Sequence, residues 1–183
     1  MMVEREVEQY LLGLWGAPAR SASFSGDGND VSISKWEAGQ TDEGVTLYVT
    51  NGASRRVCDV SSGRRVEFVL GFHPEQDDVA KPLSMLAGSV LSGIDVARGH
   101  AVTLADEFWP GSSFRTFMML PPMEEIIRPL KLSDGTHVEF LAIVPIFDSE
   151  LELKKVNSAE WIMGEFADRD IPWWSPRRSS IRS

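Results

Sequence analysis

The stretch from Arg65 to Phe72 alternates strictly. Val66, Phe68, Leu70 and Phe72 fall on one face; Arg65, Glu67 and Val69 fall on the other. A period of two marks a β-strand, and a strand needs neighbours. Candidates stand on both sides. Val31, Ile33 and Lys35 alternate with Ser32, Ser34 and Trp36, and Val45–Thr50 reads VTLYVT before the turn pair Asn51–Gly52. GQTDEG (39–44) and SSG (61–63) are turns. Strands joined by turns this short pair antiparallel. Ala101–Leu104 and Phe114–Leu120 predict further strands around the loop Asp106–Ser113. Pro121, Pro122 and Pro129 bracket an irregular connection, and Ser133-Asp134-Gly135 turns into the longest apolar strand, Val138–Ile146. Pro145 inside that run is expected to take the strand out of its ladder.

Helices flank these runs. Val3, Val7, Tyr10, Leu11 and Leu14 recur at helical spacing, with Glu4, Glu6 and Glu8 near the start and Gly16 and Pro18 at the end. Val79, Leu83, Leu86, Val90 and Ile94 form a second apolar stripe, with Asp77 and Asp78 as its predicted cap. Ser149-x-x-Glu152 has the form of a capping box for a third helix, and Ser158–Phe166 predicts a fourth. Ala19–Asp30, which contains SFSGDGND, reads as loop. The expectation is one α+β domain over residues 1–183: a mixed, mostly antiparallel sheet flanked by helices. Residues 1–30 are read as helix and loop, and 170–183 as an extended tail.

Charge and cysteine content narrow the function. With 18 Lys+Arg against 27 Asp+Glu, the net charge is −9. Nucleic acid is not an expected partner, because phosphate binding needs clustered cations. A basic partner suits this charge. No run of apolar residues is long enough to span a membrane. Met1–Val7 carries Glu4 and Glu6 where a leader would be cationic, and Cys58 is alone. A cytoplasmic location is the expectation.

Catalytic motifs are missing. HExxH, CxxC, a Gly-rich phosphate loop and G-x-S-x-G do not occur. His73, His100 and His137 lie on three predicted elements, so no metal or other cofactor is expected. Asp27-x-Asn29-Asp30 opens like a calcium loop but has Ser32 at its sixth position and Ala38 at its twelfth, and reads as a turn. Asp77–Asp78 and Glu124–Glu125 are read as a cap and as loop surface. Cys58 lies among Arg55, Arg56, Arg64 and Arg65, and cations lower a thiol pKa. Without a partnering base it reads first as a small residue packed at a strand end. The tail from Pro176 to Arg182 is basic; it either folds back along the acidic domain or reaches an acidic partner. Trp15, Trp36 and Trp161 are expected in the core. Asp106-Glu107-Phe108-Trp109 is the candidate protein-binding site: an aromatic loop behind two acids is either a binding hot spot or a ring tucked under the sheet.

Taken together, the ordered pieces resemble the suppressor of fused (SUFU-like) family. They are VTLYVTNGAS, RRVEFVLGF, KPLSMLAGSV, GHAVTLADEFWPGSSFRTFMMLPP and HVEFLAIVPIFDSELELKKVNSAEWIMGEF, followed by PRRSS. The resemblance runs from about Trp36 to Ser180. It implies protein binding without catalysis. Animal members resemble two-domain clamps on an extended peptide; this chain resembles their N-terminal domain, so no peptide-contacting residue is carried over. Stand-alone domains of this kind resemble bacterial immunity proteins that sequester a toxin, here a basic one. Two other readings stay open: an enzyme using Cys58 or a His/carboxylate pair, and a homo-oligomeric domain joined through Trp109, Trp173 and Trp174.

Overall fold

The computed structural model of the chain describes residues 2–26, 29–120 and 126–181. Its strands are β1 (Arg20–Gly26), β2 (Asn29–Trp36), β3 (Thr46–Asn51), β4 (Arg64–Phe72), β5 (Ala101–Thr103), β6 (Thr116–Met119), β7 (Leu130–Lys131) and β8 (His137–Ile146). They form one sheet in the order β1-β2-β3-β4-β8-β6-β5, with β7 pairing β8 beside that path. Among the described residues only β4 and β8 run parallel; the other pairs are antiparallel. The parallel pair is why the sheet is mixed. The chain must travel from the end of β4 back to the start of β8, and the second helix lies on that route.

The alternation in β4 divides the two layers as expected. Val66, Phe68, Leu70 and Phe72 pack with Phe117, Leu141 and Ile143 beneath helix α2 (Ala80–Leu91). On the opposite face Leu47, Val49, Val69, Val138 and Phe140 meet Val7 and Leu11 of helix α1 (Met2–Trp15). Val144 and Ile146 continue that face of β8 and lie against Ile162 and Phe166 of helix α4 (Ala159–Asp168). Trp36 is buried, stands edge-on to Trp15 at 5.2 Å and donates its indole N–H to the Gly16 carbonyl.

Several expectations need correction. Residues 20–26 are strand, not loop: β1 pairs with β2 from Arg20↔Lys35 to Gly26↔Asn29. The strand does not leave its ladder at Pro145, which pairs with Phe117 of β6. The missing N–H is tolerated because β4 pairs with β8 only as far as Ala142, so one side of β8 is open there. Asp77 and Asp78 do not cap α2 with their side chains. They form a short 3-10 turn whose cap is the Gln76 side chain, accepting from the Asp78 N–H. Helix α3 (Asp148–Val156) starts two residues earlier than the Ser149 box requires, and the Glu150 carboxylate, not Glu152, accepts the Phe147 N–H at 3.0 Å. Trp161 is 37% exposed on α4, so Ile162 and Phe166 supply that core instead. Asp27, Pro121, Pro122, Glu124, Glu125 and Arg182 lie outside the described residues.

Two buried ionisable side chains organise the interior. Glu67 of β4 is fully buried, and among the described residues no ion pair engages its carboxylate. It accepts from the Thr50 hydroxyl and from the Gly52 and Ser54 N–H groups, which gather the end of β3 and the turn after it. Burial pushes its carboxyl up, against the pull of these three donors. Gly52 is required at that turn. Its φ is 146°, and a Cβ would come within 3.0 Å of the Asp30 carbonyl. The second is Arg178, from the basic tail. Its guanidinium forms a bidentate pair with Glu150, both contacts at 2.7 Å and both side chains without solvent exposure. It also donates to the Pro145 and Ser179 carbonyls and lies over the rings of Phe166, Phe147 and Phe114 at 4.6, 4.9 and 5.4 Å. The tail therefore folds back onto the domain through an arginine that looks solvated in the sequence.

Breaking one side of a buried pair strands the other charge. Arg178→Met is expected to cost about 3–5 kcal/mol of unfolding free energy in urea titration. A double variant, Arg178→Met with Glu150→Gln, should recover part of that loss, because no bare carboxylate remains.

Candidate functional site

The loop between β5 and β6 is held by its aromatic residues. Phe108 is buried and stacks on Phe117 of β6, with ring centroids 4.1 Å apart. Its N–H donates to the Phe114 carbonyl. Trp109 is half-buried and stands edge-on to Phe72 and Phe114, each at 6.0 Å. The Ser112 N–H closes the turn on the Trp109 carbonyl. Of the four candidate site residues, Phe108 thus belongs to the core and Trp109 is anchored beside it, while Asp106 and Glu107 stand exposed.

The loop faces the start of α2 across a cleft of about 420 Å³. Phe24 of β1, Met85 of α2 and Trp109 supply apolar lining, and Asp77, Asp78, Asp106 and Glu107 bring four acids to the same walls. Lys81 is the one basic residue among the described lining residues. A hollow of about 240 Å³ continues along β1 and shares Phe24, Asp77 and Asp78 with it.

The acids are not equivalent. Asp77 is already neutralised: Lys35 approaches it at 2.8 Å, the Tyr48 hydroxyl donates to it at 2.9 Å, and Arg20 lies at 3.3 Å. Burial raises its carboxyl, but Lys35, Tyr48 and Arg20 outweigh that and hold it below the usual range. Lys35 also reaches Glu75 at 2.7 Å; burial lowers its ammonium, and the two carboxylates more than reverse this. Tyr48 is pushed far up, first by burial and then by Asp77. By contrast, no ion pair or side-chain hydrogen bond engages the carboxylates of Asp78, Asp106 or Glu107 among the described residues. Sequence reasoning missed Asp78 and Phe24 as parts of this cleft. The signal available was one large apolar residue, Phe24, in an otherwise Ser-rich run.

The remaining candidates lie elsewhere. Cys58 is half-buried beside β4, and burial raises its thiol despite the lowering by Arg56 and Arg64. Among the described residues no group of three or more His, Cys, Asp or Glu could hold a metal ion. Trp173 and Trp174 stand edge-on at 5.7 Å beside a separate cleft of about 360 Å³, floored by Leu47, Val69, Gly71 and Ala142 on the α1 side of the sheet. Among the described residues no helix is long and apolar enough to cross a membrane.

Comparison with known proteins places the chain. The family model for suppressor of fused protein (SUFU) matches residues 27–179. The chain belongs to the suppressor of fused family. Solved structures agree with this. A SUFU homologue from Neisseria gonorrhoeae is 20% identical with a TM-score of 0.71, over 98% of this chain and 96% of that one. A chain of the Sufu–Fu complex is 13% identical with a TM-score of 0.68, over 98% and 90%. Drosophila Suppressor of Fused matches at 13% and 0.68 over 98% of this chain, which spans 50% of the fly protein. At these identities the likeness establishes a shared SUFU fold. A search of curated proteins finds no match.

The Lys35–Asp77 pair has a pH signature. Because the folded state depresses Asp77, its contribution to stability is present above the ordinary carboxylate range near pH 4 and is lost as pH falls through the depressed value. In urea titrations from pH 7 downward, the stability gap between wild type and Asp77→Asn is expected to close below about pH 4. A gap that widens with acid would contradict this assignment.

Proposed function

We propose that this SUFU domain is a non-enzymatic protein-binding module that takes a basic segment of its partner into the cleft between α2 and the 104–113 loop. The observation that carries this reading is the set of three unengaged carboxylates, Asp78, Asp106 and Glu107, around an apolar lining of Phe24, Met85 and Trp109. A Lys or Arg can pair with the acids while its alkyl stem lies on the rings. Fixed acids on a chain of net charge −9 also steer a cationic partner from a distance. Trp109 is anchored on Phe72 and Phe114, so little ordering cost attends binding. Family membership supports a binding role, and one relative's structure is described as a complex, Sufu–Fu. Within this reading the partner is a basic toxin, the chain its cytoplasmic immunity protein, and the bond stoichiometric sequestration.

Selection of displayed random peptides against the purified protein tests the proposal. Enrichment of Lys/Arg with an adjacent apolar residue is expected, with affinity falling as salt rises. The triple variant Asp78→Asn, Asp106→Asn, Glu107→Gln should bind a selected peptide at least ~10-fold more weakly, at wild-type melting temperature. Selected peptides without cations, or full binding by the triple variant, would refute it.

A further inference from the structure

The two ends of the sheet are unlike. β5 exposes an edge of only three residues, a length that limits pairing. β1 exposes seven, Arg20–Gly26, and among the described residues no strand pairs with its outer side. Soluble proteins usually protect such an edge with lysine, proline, a bulge or a covering element. β1 has no lysine or proline, and its register with β2 runs without a break from Arg20 to Gly26.

The sequence of this edge is complementary to itself. Laid antiparallel on a second copy about Ser23, it places Ser23 opposite Ser23, Ser21 opposite Ser25, Ala22 opposite Phe24, and Arg20 opposite Gly26. No like charges meet. A large side chain faces a small one on the α2 side, where Ala22 and Phe24 are the half-covered residues. On the other side only serines meet, and Ser21, Ser23 and Ser25 are all exposed. Centring the pair one residue either way loses this match: about Ala22, Phe24 would oppose Arg20; about Phe24, the two rings would collide on the axis and Arg20 would have no partner in the strand.

We infer that β1 is a homodimer edge: two copies join about a two-fold axis at Ser23, and their sheets become one continuous sheet. Such contacts are isologous, and a single strand suffices to start one. A strand of this length spans about 23 Å and adds roughly six to eight main-chain hydrogen bonds. The interface is small, so association is expected on the order of 100 µM protein. Each copy carries a net charge of −9, so salt should strengthen the dimer by screening the repulsion. This dependence is opposite in sign to that of a basic partner in the cleft, so the two ideas fail separately.

Register-specific cross-linking decides the matter. In a Cys58→Ala background, Ser23→Cys sets two thiols face to face at the axis, within disulfide reach. Ser25→Cys sets its thiols four residues apart along the strand, about 13 Å, out of reach. The expected result is a disulfide-linked dimer for Ser23→Cys and none for Ser25→Cys. Sedimentation of the wild type should show a dimer that salt strengthens. Ser23→Lys, which puts two ammonium groups on the axis, should abolish it while leaving the melting temperature unchanged. A wild type that stays monomeric throughout, or Ser25→Cys cross-linking as readily as Ser23→Cys, overturns the proposal.

Discussion

The pair between Arg178 and Glu150 ties together the end of β8, the start of α3 and the tail. Glu150 accepts from the Phe147 N–H at the start of α3, from the Ile181 N–H in the tail, and from both ends of the Arg178 guanidinium. Arg178 in turn holds the Pro145 carbonyl at the end of β8. Neither charge touches water, so each is tolerable only because the other is present. Three phenyl rings surround the guanidinium. One of them, Phe114, also contacts Trp109 and accepts the Phe108 N–H through its carbonyl. The buried pair thus bears, through one ring, on the loop that walls the acidic cleft.

The same logic explains which acids the cleft offers. Glu67 and Glu150 are engaged inside the fold, the first by the Thr50 hydroxyl and two backbone N–H groups, the second by an arginine. Asp77 is engaged by Lys35 and the Tyr48 hydroxyl. What is left to a partner is Asp78, Asp106 and Glu107, standing at the solvent edge of an apolar hollow. Net charge alone would not have distinguished these three from the other acids of the chain.

Much of the architecture was legible because burial writes a period into the sequence. β4 carries that period cleanly, β8 stands out as the longest apolar run, and the stripe from Val79 to Val90 marks α2. β1 was not legible. An edge strand with one half-covered face needs only Ala22 and Phe24 to be apolar, and SGDGND beside it carries a strong loop signal. Nor could the sequence show that Arg178 is buried, since its carboxylate lies 28 positions away and nothing local distinguishes it from Arg177. In the site, the acids and Trp109 were visible as a cluster. The division of labour was not: Phe108 as core, Trp109 as anchored wall, and Phe24 and Asp78 from distant segments all depend on how the sheet brings β1, α2 and the loop together.

Amide hydrogen exchange in Arg178→Met, under conditions where the variant remains folded, tests most directly whether the tail holds the site. If the buried arginine supports the loop through Phe114, the Phe108 and Ser112 amides should lose protection well ahead of those in the centre of β4. Loop amides that keep wild-type protection while only the tail and the start of α3 open would contradict it.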